Sequence, residues 1–167
     1  YLQRLGIPRP SEPNLKVLSD LLTAHVDRVA YENIDIQLGR PAPPLTETAA
    51  VHRVVVQQRG GVCFILVNAF ASLLRNLGFQ VSLHVGVCAA DPPPEEKWGD
   101  HVVCLVHLDG STYIADVGLG EGPRTPFLLA PASWTEDGFK YQLEERGSGI
   151  WRFTNPANVS GTVPGFS

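Results

Sequence analysis

Hydrophobic spacing changes once along this chain of 167 residues, near Gln80, and that change restricts the possible folds more than any other feature. Before it, apolar residues recur at helical intervals; after it, they alternate or cluster in short runs. Leu15, Leu18, Leu21, Leu22, Val26 and Val29 make one helical stripe behind SEPN, where Ser11 or Asn14 is placed to cap. LTETAAVHRVVVQQRG reads as a second helix led by Thr46, weakened by a centre of β-branched valines. A third helix runs from near Cys63 to Gly78, a residue suited to the left-handed position past a helix C-terminus. It is apolar nearly all round, which predicts burial. QVSLHVGVCA, HVVCLVHL, STYIADVG, FKYQLEER and IWRFT then read as strands, and HLDGST predicts a hairpin turning at Asp109 and Gly110. DPPPEEKWGD reads as a loop, because three successive prolines exclude regular structure. The expected class is α+β: a helical bundle over residues 1–79, then an antiparallel sheet or β-barrel over residues 80–167.

Composition narrows the functions. With 44 % hydrophobic and 18 % charged residues, the chain can bury a real core. A net charge of −4 with scattered Lys and Arg gives no footprint for nucleic acid. No apolar run approaches the roughly 18 to 20 residues that span a bilayer, and no charged-then-apolar leader opens the chain, so a cytoplasmic protein without a membrane partner is expected. Cys63, Cys88 and Cys104 are odd in number and irregular in spacing, which predicts free thiols in a reducing compartment. The chain lacks Met, opens at Tyr1 and stops at TVPGFS straight after a strand, and therefore reads as an excised fragment.

One thiol stands out by position. Cys63 follows Arg59, Gly60 and Gly61 and leads an apolar helix, where the positive end of the dipole favours a thiolate. A lone cysteine is more often a small buried hydrophobe, so the case needs a base and a group to orient it. His101 opens a strand after the proline loop, and Asp116 lies near the end of the next. A turn centred between Asp109 and Gly110 pairs residues whose numbers sum to about 219, and His101 with Asp116 gives 217, within cross-strand reach. His25, His52, His84 and His107 have weaker claims, lying inside helices or strands without an acidic partner. Zinc on Cys63, Cys88, His101 and Cys104 is disfavoured: there is no C-x-x-C pair, and His101 and Cys104 point to opposite faces of one strand. No metal site and no Walker or Rossmann phosphate loop is expected.

RGGVCF, DHVVCLVHLDG and YIADVGLG, with VAYENIDIQLGRP upstream, resemble the successive signature segments of the arylamine N-acetyltransferase family in order and approximate spacing. The resemblance implies a cysteine-protease-like Cys-His-Asp arrangement on Cys63, His101 and Asp116. It implies a helical bundle, a β-barrel and a third lid domain, the last absent from this chain. The implied reaction is ping-pong: acetyl-CoA, a co-substrate rather than a resident cofactor, acylates the cysteine, and an arylamine, hydrazine or arylhydroxylamine takes the acyl group. Arg59 is placed to pair with Glu32 and tie the third helix to the segment after the first.

Several residues depart from the family pattern. Ile65 and Val67 stand where Glu and Asn are usual, with Asn68 one place late. In the implied acceptor pocket, Val62 and Leu119 replace aromatic residues. Alternative readings are an amide synthase that closes an ansamycin polyketide from a carrier protein, a thiol hydrolase, and a non-catalytic binding domain on the same scaffold.

Overall fold

The computed structural model describes residues 1–88 and 98–155. Most of DPPPEEKWGD and all of TVPGFS lie outside the described residues. The helices are α1 (Leu2–Leu5), α2 (Leu15–Arg28), α3 (Ile34–Gln37), α4 (Glu47–Val51) and α5 (Cys63–Asn76). Asn14 caps α2, its side-chain oxygen accepting the Val17 N–H at 2.9 Å, and the helix buries Leu18, Leu21 and Leu22. Full burial of each is worth about 1.5–3 kcal/mol.

The second expected helix is broken. Thr46 caps α4 through a 3.2 Å bond from the Ala49 N–H, but after Val51 the chain widens into a π-helical stretch, His52–Val56. Three successive valines crowd a regular α-helix there. The wider turn buries both Arg53 and Val54. Helix α5 buries nine of its fourteen residues, among them Phe70 and Leu74, and Gly78 follows it with φ +91°.

Four antiparallel strands form the first sheet in the order β1 (Gln80–Gly86), β2 (His101–Leu108), β3 (Ser111–Ile114) and β4 (Phe127–Leu128). Leu105 pairs with Ile114 and Leu108 with Ser111, the register read from the LDG turn, where Asp109 and Gly110 have φ of 51° and 76°. Strand β2 is buried on both faces. Val102, Cys104 and Val106 pack on the helices, whereas Val103 and Leu105 join Tyr141, Leu143 and Phe153 of a second sheet, β5 (Ala132–Glu136), β6 (Phe139–Glu145) and β7 (Trp151–Thr154).

The expected β-barrel does not form. Among the described residues no ladder joins the two sheets, which stay separate as four and three strands. Strand β4 is only two residues long, too short to carry pairing onward, and β5 starts a new antiparallel set with β6. Neither β4 nor β5 was visible as a strand in the sequence, since PFLLAPASW lacks alternation.

Candidate active site

The N-terminus of α5 is held by backbone contacts that require glycine. Tyr31 and Gly61 form a parallel bridge, with the Glu32 N–H donating to the Gly61 carbonyl at 3.0 Å. A Cβ on Gly60 would fall 1.8 Å from the Ala30 carbonyl oxygen, and one on Gly61 would meet Ile65 at 2.7 Å. The paired glycines thus admit a neighbouring segment of the same chain. Cys63 is the first residue of α5 and is nearly buried, at 6 % exposure. Gly118 closes on it from the far side: a Cβ there would lie 2.8 Å from Val67 and 2.9 Å from the Cys63 Cβ.

Beneath the glycines lies a network of two guanidinium and two carboxylate groups. Arg59 reaches Glu32 at 2.8 Å and Asp35 at 3.1 Å. Arg53 contacts the same two carboxylates at 2.8 Å each and donates from Nε to the Gly60 carbonyl at 2.7 Å. The Arg53 hydrogen bond, opposed by burial and helped by Arg59 and Arg40, takes the Asp35 carboxyl down to about 2. Burial pushes Glu32 the other way, but the Ile34 N–H and both arginines outweigh it and leave its pKa lowered. Sequence reasoning found the Arg59–Glu32 contact and missed Arg53 and Asp35. The available signal was an arginine set among valines in HRVVV, a position that buries a charge and demands partners.

His101 and Asp116 are both buried, with Nε2 2.7 Å from Oδ2. Asp116 lies two residues past the end of β3, beyond the strand in which the sequence placed it, and its Oδ1 accepts the Gly118 N–H at 2.7 Å. Cys63 lines the same cavity as His101 and acts on the ring electrostatically. Burial alone would lower the imidazole pKa; the Asp116 bond, then Cys63 and the charges of both, reverse this and raise it. The Cys63 Sγ also lies 3.8 Å from the Asp100 carbonyl oxygen.

These side chains open on a cavity of about 500 Å³ whose lining includes Tyr31, Cys88, Leu119 and Glu121. Cys88 is therefore no strand-core residue: it follows β1, lines this cavity, and its backbone N–H donates to Asp100 at 2.9 Å. Burial, then the charges of Asp100, Cys63 and Asp116, push its thiol up to about 12. Cys104 is fully buried, and its thiol is pushed up to about 12 chiefly by burial. Leu119 faces the Cys63 cavity, whereas Val62 lines a separate apolar hollow of about 60 Å³ with Ile36, Leu45 and Ile65. Ile65 and Val67 fill space in the core. Among the described residues no three His, Cys, Asp or Glu side chains gather as metal ligands.

The N-acetyltransferase family model matches residues 14–159. The chain belongs to the arylamine N-acetyltransferase family. An arylamine N-acetyltransferase of Mycobacterium tuberculosis is 31 % identical over 158 residues, covering 90 % of this chain and 55 % of the relative. A solved Mycobacterium marinum arylamine N-acetyltransferase in complex with CoA superposes with a TM-score of 0.84 at 29 % identity, covering all of this chain and 64 % of that one. Proansamycin X synthase of Amycolatopsis mediterranei is 30 % identical over 156 residues, covering 89 % of this chain and 58 % of the synthase. This chain spans about half the length of the curated arylamine N-acetyltransferases it matches. Among the described residues no helix is long and apolar enough to cross a membrane.

Proposed function

We propose that this chain carries the acyl-transfer centre of an arylamine N-acetyltransferase, with Cys63 as nucleophile, His101 as base and acid, and Asp116 as the group that orients the imidazole. The observation that supports it is the buried His101–Asp116 bond set against a cysteine at the first residue of a helix. With Nε2 engaged by Asp116, proton exchange with the Cys63 sulfur falls to Nδ1. The thiol passes its proton to His101, and the sulfur attacks the thioester carbonyl of acetyl-CoA. As the C–S bond to CoA breaks, His101 returns the proton to the departing sulfur, leaving acetyl-Cys63. An arylamine or hydrazine nitrogen then attacks that carbonyl, gives its proton to His101, and releases the amide and the cysteine. The helices over residues 1–79 supply the nucleophile and the strands and loops over 80–167 supply the base and its partner, so the two portions work as one unit. Arg59 and Glu32 are structural in this scheme, with Arg53 and Asp35 beside them.

A second reading, amide synthesis on a carrier-protein thioester, is favoured by the likeness to proansamycin X synthase and by Leu119 in the cavity wall. Incubation with acetyl-CoA and with a long-chain acyl-pantetheine thioester separates the two. Faster acylation of Cys63 by acetyl-CoA supports acetyl transfer, and acylation by the pantetheine thioester alone supports the synthase.

A further inference from the structure

A second cavity, of about 300 Å³, adjoins the first and shares Gly120, Glu121 and Asn155 with it. Its lining includes the carboxylates of Glu121, Glu136 and Asp137 and the rings of Phe139 and Tyr141. One cation, Arg124, lies among them, and it is already committed to Asp27 and Asp137. Glu136 accepts the Arg124 backbone N–H at 2.7 Å and the Thr125 hydroxyl at 2.9 Å. Asn155 supplies an independent sign of a missing partner: the residue is 4 % exposed, lines both cavities, and its buried side-chain oxygen has no donor among the described residues. Such an oxygen calls for an N–H group.

We propose that this second cavity binds an organic ammonium group on the acyl acceptor, so that the preferred amine carries its nucleophilic nitrogen at Cys63 and a separate cation beside Glu121, Asp137 and Asn155. This rests on the acyl-transfer reading of Cys63. Three features of the cavity suit an alkylammonium: excess negative charge, two aromatic rings in its lining, and a side-chain carbonyl oxygen lacking a donor among the described residues. The Tyr141 phenol senses the same field, its pKa raised by burial and then by Glu136, Asp137 and Glu121. The same charge repels the phosphates of CoA, which assigns the cavity to the acceptor and not to the donor. Sharing of three lining residues lets one elongated molecule occupy both cavities at once.

The test compares the binding of 4-aminobenzylamine with that of 4-methylaniline by calorimetry on the whole chain, without turnover. Both present an aromatic amine, and only the first adds an ammonium. The expected result is about tenfold tighter binding of 4-aminobenzylamine, the scale of one screened ion pair plus one cation–π contact. That preference should fall to within about twofold in Glu121→Gln/Asp137→Asn and shrink with added salt. Asn suits the left-handed backbone of Asp137, at φ 52°, so the variant keeps the turn. Should the double variant fail to fold, Glu121→Gln alone carries the comparison. Equal binding of the two probes, no binding of either, or a preference unchanged in a folded variant overturns the inference. Failure of Cys63 to take an acetyl group from 4-nitrophenyl acetate is instead a failure of the acyl-transfer reading, because probe preference is read without turnover.

Discussion

The imidazole of His101 is fixed by Asp116: Nε2 lies 2.7 Å from Oδ2, and the other carboxylate oxygen is anchored by the Gly118 N–H at 2.7 Å. The carboxylate therefore orients the ring and, through the same bond, favours its protonated form. Asp116→Asn keeps the size of the side chain but removes the charge. Acylation of Cys63 should fall by about 10³-fold or more while the circular dichroism spectrum stays native. An unchanged acylation rate in a folded variant would reduce Asp116 to a structural residue.

The three thiols should separate by reactivity. Cys88 and Cys104 are pushed up to about 12, so each is overwhelmingly protonated at neutral pH, whereas Cys63 has the His101 ring as a partner. Iodoacetamide at pH 7 should modify Cys63 at least tenfold faster than either. Peptide mapping after partial alkylation reads this directly, and equal labelling of Cys63 and Cys88 counts against a nucleophilic Cys63.

Much of this site was legible in the sequence because it depends on local rules. The LDG turn set the hairpin register, and the register placed His101 near Asp116. The cap at Asn14 and the glycine after α5 followed from side-chain chemistry. What escaped depends on contacts distant in sequence. Arg53 is inward only because the chain widens at His52–Val56, and its partners Glu32 and Asp35 lie 21 and 18 residues away. The strand pattern allowed either an open sheet or a barrel and the resemblance favoured the barrel; two-residue β4 and the new start at β5 could not be read from PFLLAPASW. Cys88 looked like a strand residue because VGVCA is apolar, yet β1 ends at Gly86 and leaves it facing the cavity.

Gly118 tests the packing that holds Cys63. Because a Cβ there would fall 2.8 Å from Val67 and 2.9 Å from Cys63, Gly118→Ala must displace the start of α5. The expected loss is about 1–3 kcal/mol of stability. Acylation should drop by a larger factor than in Gly110→Ala, whose turn position has nothing within 4 Å of the added carbon. Denaturant melts and acylation rates of the two variants make the comparison.

The arginine–carboxylate network predicts an acid-sensitive stability. Asp35 sits at about 2, below its ordinary value near 3.9, and Glu32 is lowered too. A depressed folded pKa contributes stability that is fully present above the unfolded value and is lost as pH falls through the folded one. The melting temperature should therefore decline between about pH 4 and pH 2. In Asp35→Asn that decline should be shallower, with a lower plateau near pH 7. Parallel pH profiles for the two proteins would show that the network contributes nothing.

Transfer through Cys63 is the central claim, and intact-mass analysis tests it most directly. The protein is incubated with acetyl-CoA and, in parallel, with 4-nitrophenyl acetate, which needs no CoA-binding surface, and then with an arylamine. One acetyl group should appear on Cys63, be absent from Cys63→Ala, and leave as the N-acetyl arylamine when the amine is added. Acetylation that persists in Cys63→Ala, or a wild-type protein that takes no acetyl group from either donor, would contradict the assignment.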